Sequence, residues 1–442
     1  MKKPIYAVFD VGKTNKKVIL FDENRQIIDE HQQVCLETVD DEGFPCETLE
    51  RLTNWVLGRW HALRQHPHYV VKGINFTAYG ASFVHLGADG QPVLPLYNYL
   101  KPLPSSCDER FYAALEQEPT EFAATTCSPR LGMLNSGLQL YWLKYAKPEH
   151  YARIHTSLHL PQYLSYLISG EKFSDFTSVG CHTGLWDFTL GRYHDWVYRE
   201  GIDSKLAPLI KDSVATVVDG VLIGVGLHDS SAAVLPYLQE QDEPFLLVST
   251  GTWAVTLNPF NRQLLTPELL RRDCLSYLSP KGKATPAARV FLGREHDFQV
   301  QHIANHFQVS PEFYQSLAVA HPRNPTAAPF RPWCMHGTGP FPEQAAVAWD
   351  LSGFSSPADA YQHLLYGLVD ILAESIRLVR QEEKTIFVDG GFARNLLFMQ
   401  LLAEAFPGVQ IRTLEVPQAT ALGALLHLEQ GEALKKTQPL FT

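Results

Sequence analysis

Two stretches of the chain carry the same rhythm of apolar and polar positions. Residues 6–22, YAVFDVGKTNKKVILFD, and residues 245–259, FLLVSTGTWAVTLNP, each run apolar, break at a Gly flanked by Thr or Ser, and resume apolar. β-Branched and aromatic runs around such a break predict a hairpin. Glycine lets a ligand come close to the backbone, and the turn N–H groups then point at it. Each hairpin alone also reads as ordinary. The pair, about half a chain apart, predicts a duplicated domain with a phosphate held between the halves. Leu52, Trp55, Val56, Trp60 and Leu63 predict a helix over 49–64. Residues 70–99 read as strand, loop, strand, a turn at Ala88-Asp89-Gly90, and a third strand. A helix between strands argues for α/β organisation. Helices are predicted over 132–146 and 157–169, the second stopped by Gly170.

Further along, residues 173–187 are polar and irregular, and the Gly-broken apolar run 214–225 reads as a crossing between domains. Residues 224–238, GVGLHDSSAAVLPYL, open a helix. Residues 259–345 are the least readable, with loop-like pieces such as HPRNPTAAPFRPW at 321–333. Ser356 and Pro357 stand where a helix takes its N-cap and first residue, ahead of a core stripe Leu364, Leu368, Leu372, Ile376, Val379. The run 385–391, TIFVDGG, reads as a buried strand; a helix over 395–406, a strand over 409–414 and a helix over 419–428 follow.

Composition narrows the class. At 442 residues, with 45% apolar and 19% charged, the chain is long enough for two or three ordinary globular domains. A net charge of −10 disfavours nucleic-acid binding, so an anionic ligand must be held locally. The cysteines, Cys35, Cys46, Cys107, Cys127, Cys181, Cys274 and Cys334, are scattered without a CxxC pair. That indicates neither a zinc site nor a disulfide framework, and suits a reducing cytoplasm. The first nine residues are too short an apolar run for a signal peptide, and no apolar run of about 18 residues predicts a membrane span.

Four local patterns carry candidate chemistry. In Asp10-Val11-Gly12-Lys13-Thr14-Asn15 a carboxylate ends a strand beside a glycine, hydroxyl and amide. Such a carboxylate can hold Mg²⁺, usually through water, and Lys13, Lys16 or Lys17 could add charge for a phosphate or be simply solvated. Thr250-Gly251-Thr252 offers two hydroxyls and open backbone, as a phosphate clamp; the spacing matches neither a P-loop nor a Rossmann fingerprint. Asp389-Gly390-Gly391-Phe392-Ala393-Arg394-Asn395 is a strand-to-helix turn whose glycines admit a flat base or ribose, or only tight packing. His228-Asp229-Ser230-Ser231 places a carboxylate at a helix start, as an N-cap or as a general base for a substrate hydroxyl.

Taken in order, DVGKTN, GLHD, STGTW and VDGGFARNLLFMQLLAEAF resemble the FGGY family of carbohydrate kinases, in the sugar kinase–Hsp70–actin superfamily, over nearly the whole chain. The resemblance implies two actin-like, ribonuclease H-like α/β domains with a cleft between them, divided near residue 222. Residues 1–222 would bind mainly sugar and 223–442 mainly ATP. It implies Asp229 as catalytic base and Asp10 as the Mg²⁺-associated carboxylate. Gly12, Lys13, Thr14 and Asn15 would flank the transferred phosphate, Thr250, Gly251 and Thr252 would face them, and Gly390, Gly391 and Asn395 would line the adenosine pocket. Tyr79, Gly80, Ser82, Tyr99 and His228 would contact sugar beside Asp229.

Three departures bear on the sugar. The W-x-D-x-R of many members is Tyr97-Asn98-Tyr99-Leu100-Lys101 here, their Glu-Gly pair is Tyr366-Gly367, and Ser82 stands where deoxyketose kinases have Asp. The far end of the sugar would be read by Tyr79, Phe83 and Tyr99, with Leu134 alongside, all uncharged. If these line a pocket rather than pack the core, they favour a 6-deoxyketohexose such as L-fuculose or L-rhamnulose, with a pentulose second. The other readings are a catalytically silent sugar-binding relative and an actin-like phosphatase or chaperone ATPase. The expected ligands are a small sugar, ATP and Mg²⁺, with no nucleic acid and no membrane; a homodimer is the candidate assembly.

Overall fold

The computed structural model describes residues 2–13, 15–34, 37–241, 243–317, 330, 332–335, 337–413 and 416–437. The chain forms two compact units. The first takes residues up to 240, 277–284 and from 416 onward; the second takes 241–276 and 285–415.

In the first unit, strand β1 (Lys3–Val11) turns back into β2 (Asn15–Phe21), which pairs with β3 (Ile27–Val34). Helix α1 (Leu49–Arg64) matches the apolar spacing read from the sequence, with Leu52, Val56, Trp60 and Leu63 buried. It leads to β4 (Tyr69–Ala78), then β5 (Phe83–Leu86), β6 (Thr156–His159) and helix α2 (Leu160–Ser169), capped by Gly170 in the left-handed conformation. Next come β7 (Val214–Val218), β8 (Val221–Gly224), the short β9 (Leu227–His228) and helix α3 (Asp229–Ala232). Among the described residues the main sheet runs β7-β8-β4-β1-β2-β3, with β9 also on β4. β1 is buried on both faces. Ile5, Ala7, Phe9 and Val11 pack with α1 and α2 residues, while Tyr6 and Val8 pack with Ala421, Ala424, Leu425 and Leu428 of the helix Ala419–Thr437. Period-two alternation of this kind is what a central strand requires.

The second unit repeats the plan. It holds β10 (Phe245–Thr250), β11 (Ala254–Leu257), β12 (Cys274–Leu278) and β13 (Ala284–Val290), whose residues Tyr277, Leu278 and Ala284 belong to the first unit, then helix α4 (Leu292–Phe307), helix α5 (Pro357–Val379), β14 (Thr385–Gly390), helix α6 (Leu396–Ala405) and β15 (Gln410–Thr413). Its sheet order is β12-β13-β11-β10-β14-β15 among the described residues. In both units an antiparallel hairpin flanks a first strand whose other neighbour is parallel: β1 beside β4, and β10 beside β14. Ser356 Oγ accepts from Asp359 N at 3.1 Å to cap α5. Leu364, Leu368, Leu372 and Ile376 on α5 are fully buried, each contributing about 1.5–3 kcal/mol of apolar transfer.

Several expectations need correction. The third strand expected before Tyr99 is absent among the described residues, because residues 91–98 make only isolated bridges, at Pro92 and Leu96. Residues 157–159 belong to β6, and the helix starts only at Leu160, with Pro161 in its first turn. The run 214–225 is not a crossing but the hairpin β7–β8. Residue 222 therefore lies inside a strand hydrogen-bonded to β4, and the first unit continues to residue 240. The last helix runs on to Thr437. Cys35, Leu414 and residues 321–329 and 331 lie outside the described residues.

The first unit also buries neutral histidines. Burial holds His85 and His159 down to about 3, with His228 and His85 adding to the effect on His159, and burial with Lys281 holds His427 at about 4. Unfolding frees these rings to bind protons below their ordinary value of 6.5, so stability falls as pH drops through that value. Between pH 6.5 and 5 each ring is expected to cost about 2 kcal/mol. Urea midpoints measured from pH 7 to 5 should decrease, and His85→Asn should give a shallower slope; an unchanged slope in that variant would contradict the assignment.

Candidate functional site

The parallel pairing of β1, β4 and β9 decides where the first unit can do chemistry. Asp10 pairs with Thr77 and Val11 with Ala78, while Leu227 and His228 pair with the same Thr77 and Ala78. Asp10, Tyr79 and Asp229 therefore emerge from the same end of the sheet. Burial pushes the Asp10 carboxyl up to about 6, the Asp229 charge adds to the rise, and Lys17 opposes it. Two carboxylates in mutual electrostatic range are a recurrent device for binding a cation or moving a proton.

Asp229 is not an N-cap. His228 holds that position without a side-chain cap bond, and Asp229 is the first helical residue, one-third exposed. Its Oδ1 accepts from Ser230 N at 2.6 Å and Ser230 Oγ at 3.2 Å, and lies 3.3 Å from His228 Nε2. The His228 ring is buried, stacks on Tyr277 at 6.0 Å, and has Nε2 3.2 Å from Cys181 Sγ. Its backbone N donates to Thr177 Oγ1 at 2.9 Å. Gly80 lies against this group: a Cβ there would come within 2.9 Å of the imidazole and 3.1 Å of Cys181 Sγ. The segment 173–187 thus forms a largely buried floor rather than a surface loop, with Asp175 capping the turn Phe176–Val179. Sequence reading missed Cys181 and Thr177 because nothing in their periodicity marks them as buried.

The three lysines of the first turn separate. Lys16 is buried; its Nζ donates to Gly12 O at 2.7 Å and pairs with Glu47 Oε2 at 3.1 Å, so it supports the turn and is not open to a phosphate. Lys17 pairs with Glu30 at 3.1 Å. Lys13 sends its ammonium over the rings of Tyr79 and Tyr99, 5.5 and 5.6 Å from their centroids. Gly12 and Asn15 are placed at the turn as expected, and Thr14 lies outside the described residues.

Tyr79 and Tyr99 meet edge to face at 6.1 Å, and burial with the Asp229 charge raises the Tyr99 phenol. These rings do stand near the candidate base. The positions are uncharged as read, but charge stands beside them, because Lys13 caps both rings and Tyr79 OH donates to the buried Glu47 at 2.7 Å. Ser82 is buried, and its carbonyl accepts from Leu160 N. Phe83 packs on His159 at 4.0 Å and belongs to the core.

In the second unit the turn after β10 is backed by α4. A Cβ on Gly293 would fall 2.1 Å from Gly251 O, so only glycine lets the helix start against that turn. Thr252 is exposed there. Thr250 is not: its hydroxyl donates to Asp389 O at 2.5 Å and accepts from Phe392 N at 3.2 Å, tying β10 to the end of β14. Gly390 has φ +89° with a would-be Cβ 1.8 Å from Thr250 O, so both space and backbone demand glycine. Beyond it opens a cavity of about 420 Å³ lined by Tyr314, Tyr361, Gln362, Gly391, Arg394 and Asn395 among others. That volume suits a nucleoside-sized ligand. Asn395 caps α6 through Phe398 N and donates to Tyr361 OH at 3.0 Å, so it shapes this cavity as a structural residue.

Among the described residues no helix is long and apolar enough to cross a membrane. The model of the FGGY carbohydrate kinase N-terminal domain matches residues 5–233, and that of the FGGY carbohydrate kinase C-terminal domain matches 242–436. A rhamnulokinase of Oceanobacillus iheyensis is 21% identical, covering 94% of this chain and 91% of its own length. A probable L-xylulose kinase of Pasteurella multocida is 24% identical, with 96% and 90% covered. The crystal structure of a carbohydrate kinase from Novosphingobium aromaticivorans superimposes with a TM-score of 0.81 at 25% identity, over 98% of this chain and 92% of that one. With both domain models matched in order along an α/β chain of two actin-like units, the protein belongs to the FGGY family of carbohydrate kinases, phosphotransferases that act on an alcohol group.

Proposed function

We propose that the chain transfers the γ-phosphoryl group of ATP to a primary hydroxyl of a ketose, with sugar bound by the first domain and ATP by the second. The observation that carries this reading is the electrostatic coupling of Asp10 and Asp229 at one sheet end. Asp229 takes the proton of the acceptor hydroxyl as its oxygen bonds to phosphorus and the bond to the ADP leaving group breaks. The contacts of its Oδ1 with Ser230 N and His228 Nε2 orient the carboxylate for that role. Asp10 fits a Mg²⁺ role: it is a hard oxygen donor whose raised pKa records charge left uncompensated by the protein. When bound, the ion would neutralise phosphate charge. Gly12, Lys13, Thr14 and Asn15 in the first domain, and Gly251 and Thr252 in the second, are the proposed phosphate-handling positions. Gly390, Gly391 and Asn395 are the proposed nucleoside-lining positions, Asn395 by shaping the cavity wall through Tyr361.

For the acceptor we propose a 6-deoxyketohexose such as L-fuculose or L-rhamnulose, against the Tyr79 and Tyr99 rings. A pentulose is the second reading, and Lys13 on those rings favours it, because an ammonium meets a hydroxyl better than a methyl group.

Asp229→Asn should reduce kcat by a factor of about 10² or more while sugar and ATP still bind, because the amide cannot accept the proton. Near-wild-type kcat in that variant would sink the assignment. Asp10→Asn should lower kcat together with the Mg²⁺ dependence. Because Mg²⁺ must compete with the proton for an Asp10 carboxyl raised to about 6, the apparent affinity for Mg²⁺ should weaken as pH drops through about 6, and this dependence should vanish in Asp10→Asn. Comparing kcat/KM for L-fuculose, L-rhamnulose, L-xylulose, D-xylulose and L-ribulose decides the acceptor; a pentulose ahead by about tenfold, a difference of about 1.4 kcal/mol, selects the second reading.

A further inference from the structure

One buried carboxylate outside the proposed chemistry touches both sides of it. Glu47 ends the short strand Pro45–Glu47, two residues ahead of α1, and is 3% exposed. Its Oε2 receives Lys16 Nζ at 3.1 Å and Tyr79 OH at 2.7 Å. Lys16 passes the contact on, donating to Gly12 O at 2.7 Å and Lys13 O at 3.4 Å, both in the turn between β1 and β2. Tyr79 stands on the opposite side, with its ring under Lys13 and against Tyr99.

The strand carrying Glu47 is itself tightly held. Asp40 accepts from Glu42 N and Phe44 N, both at 2.9 Å, and pairs with the buried Lys101 at 2.5 Å. Glu42 reaches Lys101 at 2.6 Å and Lys147 at 2.8 Å. Asp41 accepts from Tyr97 OH at 3.0 Å, and Asn98 Nδ2 donates to Pro45 O at 2.9 Å. Residues 97–101, which carry Tyr99, are therefore clamped to residues 40–45, which lead directly into Glu47. A fixed carboxylate with two donors of different origin transmits position from one to the other.

We propose that Glu47 is a positioning residue that sets the Gly12 turn and the Tyr79–Tyr99 wall in register with each other, so that acceptor binding and phosphate placement are coupled through its carboxylate beside the direct contacts of Lys13 and Lys16 with the rings. This rests on the kinase reading above. Two donors on one oxygen allow the two halves of the contact to be cut separately. Glu47→Gln keeps an oxygen for Tyr79 but removes the charge that holds Lys16. Tyr79→Phe keeps the ring and removes the wall's hydroxyl bond to Glu47.

The experiment is steady-state kinetics of the full chain with its best sugar, ATP and Mg²⁺, with a thermal melt of each variant. Glu47→Gln should lower kcat about tenfold or more with the sugar KM within about twofold, because a small displacement of a phosphate-binding turn is costly in rate. Tyr79→Phe should raise the sugar KM about fivefold with kcat nearly kept, the loss expected for one hydrogen bond. Glu47→Ala should show both effects. Glu47→Gln strands a buried ammonium and can fail to fold, so Lys16→Met/Glu47→Gln serves beside it; this pair should melt near wild type yet keep the low kcat. A merely structural role would reduce the active fraction without splitting KM from kcat. Wild-type kcat in the folded double variant, or the same proportional change of kcat and KM in Glu47→Gln and Tyr79→Phe, would overturn the proposal. Wild-type turnover on the sugar panel tests the kinase reading separately, so a flat variant series on an active enzyme counts only against Glu47.

Discussion

Two parallel strand pairings, β1 with β4 and β9 with β4, decide where this protein can act. Side chains at the ends of neighbouring parallel strands must share one edge of the sheet, whatever lies between them in sequence. Asp10 and Asp229 are more than two hundred positions apart, yet both stand beside the last residues of β4. Their mutual repulsion, on top of burial, is what lifts Asp10 toward neutrality. A sheet that held the strands in any other order would separate the charges and leave burial alone to raise the pKa.

The cost of bringing charge into this region explains much of the surrounding packing. A buried ammonium is tolerated only with a close partner and further acceptors, and Lys16 has Glu47 together with two turn carbonyls. The same restriction appears in the strap over residues 40–47, where Lys101 and Lys147 meet three consecutive acidic residues. Neutral histidines line the interior where no counter-charge is available. His85 and His159 accept a depressed pKa, with single polar contacts to Ser157 and Ser136.

What the sequence revealed follows from range. Hairpin turns, the amphipathic α1, the capped α5 and the glycine-ended β14 are local patterns, and each was legible because neighbours in sequence determine it. The family motifs were legible for the same reason: each is one contiguous run, and the longest crosses a single strand–turn–helix. The role of Glu47 was not legible, since its partners lie 31 and 32 positions away and no periodicity singles it out. The run 214–225 was misread because an edge hairpin and an interdomain crossing share β-branched residues broken by glycine; only its pairing with β4 tells them apart. Thr250 shows the same limit at a motif residue. Its hydroxyl reads as a phosphate donor, whereas a carbonyl and an amide 139 and 142 positions away have already taken it.

The second domain makes the complementary point about glycine. Gly293 and Gly390 sit where two backbones approach more closely than any side chain permits, one under the turn at Gly251 and the other against Thr250. Both contacts converge on the three-residue turn after β10. A turn held from below by a helix start and from the side by a strand end has few ways to move, so its exposed members, Gly251 and Thr252, face solvent from a fixed base. Backbone that rigid suits the proposed phosphate-handling role of this turn, because donors already in place bind an anion without first giving up conformational entropy. The first domain reaches the same end by another route, bracing its turn with the Lys16 side chain. The duplicated fold therefore carries two differently built supports under equivalent turns, one of packed backbone and one of buried charge.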